Sequence, residues 1–197
     1  MKRPLPPQRL KDFGLQFEPA PRLEQWIRET FIDGSGPLLN PEHEHLKLAR
    51  IGVLWTNAEN IKRGMEIVGT AEMPFFRGDA WQKARQEYQI RQWFDCLPDF
   101  LITFSAPYAF RAPDDHWCAV SEHELLHCGQ ANDEFGFPKY TKSGDPKFTL
   151  RAHDFEQFNS IVDRYGPEAS GLGRLVELFQ RAPKIDLPQI RVACGAC

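Results

Sequence analysis

Polar and apolar residues fall along this chain in blocks whose period changes, and the blocks outline an α+β fold. Apolar residues recur at helical spacing over 23–31, which predicts a first helix, and Asp33-Gly34-Ser35-Gly36-Pro37 breaks it. Residues 48–56 and 66–72 read as strands. Residues 80–97 bring Trp81, Ala84, Tyr88, Gln92 or Trp93, and Cys96 near one face and predict a long amphipathic helix. Residues 99–105 (Asp-Phe-Leu-Ile-Thr-Phe-Ser) carry the strongest strand signal. A helix follows over 114–128: Asp114 and Asp115 are its candidate N-caps, Trp117, Val120, Leu125 and Leu126 its apolar residues, and Gly129 its stop. A long polar stretch with Asn132-Asp133, Gly136 and Ser143-Gly144-Asp145-Pro146 predicts a loop with a hairpin around 142–145. Phe155, Phe158, Ile161 and Val162 then mark a helix opening near His153 and ending at Gly166-Pro167, and 171–181 mark a last one before Pro183.

Inside the helix of 114–128 stands His123-Glu124-Leu125-Leu126-His127. Residues four apart on a helix share a face, one turn above the other, so both imidazoles reach one Zn²⁺ at about 2.0–2.1 Å. Glu124 then sits beside the metal and takes a proton from a metal-activated water. The bland alternative is a surface helix with two unrelated histidines. The apolar pair between them argues for a buried helix, where a histidine pair needs a partner.

A catalytic zinc site has three protein ligands and keeps a fourth position for water. Of the six histidines, His153 at the head of the second helix is the expected third ligand. Glu156, one turn further on, is its rival, and Asp154 reads either as a partner that fixes an imidazole tautomer or as a helix cap. His43 and His45 read as a solvated helix start or loop, and His116 as a packing or solvent residue. Tyr165, with Arg164 beside it, is the candidate donor to a developing oxyanion; a core cap is its plain alternative.

The run Ser121-Glu122-His123-Glu124-Leu125-Leu126-His127-Cys128, followed by His153-Asp154 and an aromatic helix ending in Arg164-Tyr165-Gly166, resembles the zincin metallopeptidases. It is similar to the phage metallopeptidase family and, more distantly, to SprT-like domains. The chain lacks the following glycine and close third histidine of metzincins. The resemblance implies a zincin-like fold, a small mixed sheet packed on the metal helix with further helices around it. It also implies a zinc-dependent peptidase, phage or prophage encoded, whose sheet edge holds the substrate as an added strand. Residues 69–74 and 100–105 are the candidate edges. In this reading residues 1–20 are a proline-rich N-terminal extension, 21–183 the single metallopeptidase domain, and 184–197 a C-terminal tail with a CxxC pair.

Composition sets outer bounds. The 197 residues are 42% hydrophobic and 12% aromatic, enough for one domain with a real core. A net charge of −3 gives no drive toward nucleic acid; the expected partner, a peptide or protein, is what the metallopeptidase resemblance implies. No stretch approaches the roughly 18–20 apolar residues of a membrane span. The basic start, Met1-Lys2-Arg3, has no apolar core behind it and is not a secretory signal. Five cysteines, an odd number at irregular spacing, suit a reducing compartment, so the expected location is the cytoplasm of a host cell. Cys118 and Cys128 read as packing residues, and Cys194 and Cys197 as the ends of a frayed tail.

Two other functions compete with the peptidase. A catalytically silent, zinc-stabilised binding or regulatory protein would keep the histidines with no need of Glu124. A nucleic-acid-linked protease, the SprT-like alternative, would bind phosphate in a gel shift and lose it steeply with salt. Nothing in the pattern specifies an oligomeric state.

Overall fold

The computed structural model describes residues 2–155 and 159–195. Its elements run in this order: β1 (Phe17–Pro19), α1 (Pro21–Ile27), a 3₁₀ helix (Pro41–Leu48), β2 (Ile51–Thr56), β3 (Ile61–Lys62), β4 (Met65–Glu66), β5 (Gly69–Glu72), α2 (Ala80–Phe94) and β6 (Phe100–Ser105). There follow α3 (Ala106–Arg111), α4 (Asp114–His127), β7 (Cys128–Gln130), β8 (Phe148–Leu150), α5 (Asn159–Ala169), α6 (Gly173–Phe179) and α7 (Leu187–Cys194). The chain forms two compact units. The larger takes in residues up to 151 and from 187 onward; the smaller spans 152–186 and carries α5 and α6.

The larger unit is α+β, built on a small mixed sheet of order β1-β2-β6-β5. β2 and β6 are its parallel central pair, with Ile51 opposite Phe100 and Trp55 opposite Phe104. Both are near-continuous apolar runs, as strands covered on both faces must be. Strand alternation sorts their side chains. Trp55 and Phe104 face α4, where their rings lie 5.5 and 5.2 Å from that of Trp117. On the opposite face Gly52 lies against Phe94 of α2 and Leu101 of β6; a methyl at residue 52 would stand 3.0 Å from the Phe94 ring. β5 runs antiparallel to β6 and forms one edge of the sheet.

Several expectations change. The strand expected over 48–56 starts at Ile51, because Leu48 ends the 3₁₀ helix and is exposed. The strand expected over 66–72 is two pieces: Glu66 belongs to the small β3–β4 hairpin, and β5 starts at Gly69. The apolar stripe of α2 exists but is uncovered, with Trp81 87% and Tyr88 63% exposed. Neither Asp114 nor Asp115 is the N-cap of α4; that position is Pro113, and the two acids lie in the first turn, beside the helix's positive end. Nor does Gly129 stop α4 by a left-handed turn, because the chain passes from His127 straight into β7. The loop after it is a hairpin: β7 pairs with β8, isolated bridges extend the ladder, and a turn at 141–145 closes it.

The chain ends also pack. The backbone N–H of Arg3 donates to Cys194 O at 3.0 Å, and its buried guanidinium donates to Ala109 O at 2.6 Å and pairs with Asp114 at 2.6 Å. β1 joins the sheet beside β2. The tail expected to fray forms α7, which buries Cys194 and accepts a hydrogen bond from Trp26 Nε1 on Ala193 O at 3.0 Å. Cys197 lies outside the described residues. Within the smaller unit, residues 152–155 form no helix, and α5 is described from Asn159. The chain kinks at Gly166, with φ 78°, where the sequence predicts a stop. None of the described helices is long and apolar enough to cross a membrane.

Candidate metal centre

α4 buries Trp117, Cys118, Ser121, Glu124 and Leu125, a stripe at helical spacing that turns toward the sheet. With that stripe inward, His123 and His127 lie together on the outer flank, one turn apart. Their rings meet edge to face at 82°, with centroids 4.8 Å apart.

The tautomer of His127 follows from its partner. Its Nδ1 lies 2.7 Å from the carbonyl oxygen of Arg151. A carbonyl only accepts, so Nδ1 carries the proton and Nε2 the lone pair. That Nε2 faces His123 Nε2 at 3.2 Å. Two nitrogens bound to one tetrahedral zinc at the usual bond length stand about 3.3 Å apart. The pair is thus spaced to share a cation, and the Arg151 carbonyl is the outer partner that such a ligand requires.

The hairpin explains how Arg151 comes to be there. β8 pairs back onto β7, and the Arg151 N–H donates to His127 O at 2.9 Å. His153 follows two residues later. His123, His127 and His153 form the one group of three metal-capable side chains found among the described residues, their ligand atoms all within 4.8 Å of one another. This triad fits a metal site. Glu156, the rival third ligand, lies outside the described residues. Asp154 occupies a bend directly after His153, and His116 is exposed on α4. Tyr165 is 58% exposed on α5, with the Arg164 guanidinium 5.5 Å from its ring centroid.

Glu124 is 5% exposed, and burial pushes its carboxyl up to about 7. The nearby His127 and a hydrogen bond from the Ala71 N–H pull the other way. β5 therefore touches the motif directly. Gly69 lies so close that a Cβ there would stand 2.7 Å from Glu124 Oε1 and 2.9 Å from its Cγ. Only glycine lets the strand approach this near.

The 3₁₀ helix grips the other side of α4. Asn40 caps that helix by accepting from the Glu42 N–H, and its side-chain amide donates to Glu122 Oε1 at 2.7 Å. His45 Nε2 lies 2.8 Å from Cys128 O, just past the motif. His43, expected in solvent, is 1% exposed, and burial lowers its pKa to about 4. His45 thus supports the end of the motif, and His43 is buried against α4 rather than solvated.

Sequence reasoning missed Arg151 and Asn40, and, although it offered 69–74 as a sheet edge, it missed the contacts of Gly69 and Ala71 with Glu124. The Arg151 and Ala71 contributions are backbone groups, which no side-chain pattern reveals. Gly69 did leave a signal, since a glycine inside a strand marks a close approach.

A helix-borne histidine pair beside a buried carboxylate has the make-up of a metal-dependent hydrolase. Comparison with known families agrees. The profile of a family described as putative phage metallopeptidase matches residues 24–180, and the chain belongs to that family. The family description points to a metal-dependent peptidase acting on peptides or proteins. Neither a curated protein nor a solved structure matches the chain.

Proposed function

We propose that this protein is a zinc-dependent peptidase of the zincin type, encoded by a phage or prophage and acting in the cytoplasm of the host cell. The observation that carries the reading is the facing Nε2 pair of His123 and His127, with Glu124 packed beside it. His123, His127 and His153 would hold the ion. When bound, zinc polarises a water and lowers its pKa to about 7.

The chain's own residues supply the rest. Glu124 accepts the proton of the attacking water and returns it to the leaving amine. The Ala71 N–H holds the Glu124 carboxylate in place, and Arg151 holds the His127 ring. β5, an edge strand, offers its outward backbone groups other than the Ala71 N–H to an extended peptide. Tyr165, with its exposed ring, is the proposed donor to the oxyanion.

Turnover of a quenched-fluorescent peptide library by the zinc-loaded protein tests this. Glu124→Gln should bind zinc as the wild type does and lose about 10³-fold or more in kcat, beyond the 10²–10⁴ typical range's lower end for a general base. Unchanged turnover in Glu124→Gln would remove Glu124 from the mechanism.

A further inference from the structure

Between α2 and the end of β5 lies a groove of about 640 Å³, lined by Phe75, Phe76, Tyr88, Ile90 and Leu101 together with Glu72 and Arg85. Its place relative to Glu124 follows from strand register. Glu72 pairs with Leu101, and Ala71 with Ile102. Leu101 faces α2, the side of the sheet opposite α4. Thr70 and Glu72 therefore face α2 as well, whereas Gly69 and Ala71 face α4. The Ser105 N–H donates to Val68 O, so by antiparallel alternation Thr70 and Glu72 turn their backbone groups toward β6. Gly69 and Ala71 turn theirs to the outer edge, where Glu124 takes the Ala71 N–H and leaves the Ala71 carbonyl and the Gly69 groups. The groove thus starts one residue along β5 from the strand's contact with Glu124.

We propose that this groove is the specificity subsite of the enzyme and takes a large apolar side chain, aromatic or leucine-like, of the peptide substrate. The proposal rests on the peptidase reading, since it needs an extended peptide along the outer edge of β5. Cross-strand neighbours point to the same face. A peptide residue opposite Thr70 or Glu72 therefore points toward α2 and into the groove, while its neighbours in the peptide point toward α4. Aromatic and aliphatic residues make up most of the walls, with Gln86 and Gln89 between them. Glu72 and Arg85 carry opposite charges, so the lining has no net charge to select an acid or a base. Burying one Leu or Phe side chain raises affinity roughly 10- to 100-fold.

Peptide binding tests the subsite apart from the chemistry. Blocked alanine hexapeptides carrying Phe, Leu, Asp or Gly at each position in turn are titrated into zinc-loaded Glu124→Gln protein. One position should favour Phe and Leu over Gly and Asp by about tenfold or more. Ile90→Trp, which fills the groove, should erase that preference while zinc content stays at the wild-type value. Phe76→Ala should weaken it as well. Equal affinity for all four residues at every position, no binding of any peptide, or a preference untouched by Ile90→Trp would overturn the subsite. Turnover of the same peptides by the wild type reads the other claim: binding with the stated preference but no cleavage would sustain the groove and count against the peptidase.

Discussion

Gly69 and Glu124 illustrate how closely single residues are matched around the motif. A Cβ at residue 69 would stand 2.7 Å from Glu124 Oε1, a separation that real contacts do not show. Gly69→Ala must therefore displace either the carboxylate or the strand. The three atoms nearest that Cβ position all belong to Glu124, so zinc binding should survive. The expected outcome is a fall in kcat of about 10- to 100-fold, from a misplaced general base, with zinc affinity within a factor of a few of wild type. Isothermal titration with zinc and peptide turnover measured together check it; an unchanged kcat would show that the close approach is incidental. At this scale the sequence showed the side chains able to bind a metal: His123, His127 and His153 stand out by residue type and spacing, and the structure brings the three together. It was silent where the backbone acts, at the Arg151 carbonyl and the Ala71 N–H, because any residue supplies those groups.

At the scale of elements, the 3₁₀ helix Pro41–Leu48 sets the bearing of α4 through Asn40, His43 and His45. His43 gives this support a pH signature. Its folded pKa is about 4, against 6.5 for a free imidazole, because burial disfavours the cation. Between those values the unfolded chain binds the proton and the folded one does not, so the contribution of His43 is fully present above pH 6.5 and falls as the pH drops toward 4. The loss reaches roughly 3 kcal/mol in all. Glu122, 3.9 Å away, and Glu124 have raised pKa values and work in the opposite sense, as carboxyls that gain protons on folding. The test is therefore a difference: urea unfolding of wild type and His43→Gln at pH 7.5 and pH 4.5. The wild type should lose about 2 kcal/mol more than the variant over that interval. Equal losses would mean that His43 is not buried as a neutral ring. Elements with one unmistakable signal, such as β6 and α4, were readable. The 3₁₀ helix was not, because its short apolar spacing suits neither regular period. For α2 the pattern showed which residues share a face but not that the face lacks a cover, since periodicity contains no information about partners.

Across the larger unit, both chain ends close on α4. Arg3 ties α3, Asp114 and Cys194 together, while α7 lies against α4 with Cys194 Sγ 3.5 Å from Cys118 Sγ. Neither end reads this way in the sequence, because a proline-rich start and a short tail carry little periodicity of their own. Their order comes from contacts far along the chain, such as Trp26 Nε1 on Ala193 O. Removing residues 187–197 should uncover Trp26 and Cys118 and lower Tm by at least about 5 °C, which corresponds to 1–2 kcal/mol in a chain of this size. Scanning calorimetry of the truncated and full-length proteins checks this, and an unchanged Tm would show that α7 adds nothing to the core.

Zinc stoichiometry is the most direct test of the central claim, that α4 presents a histidine pair built to hold a catalytic zinc. Elemental analysis of purified wild type, His127→Ala, His153→Ala and Glu124→Gln, each reconstituted with zinc and desalted, should find about one zinc per chain in wild type and Glu124→Gln and little in either histidine variant. A wild-type protein that retains no zinc, or histidine variants that retain it in full, would contradict the account.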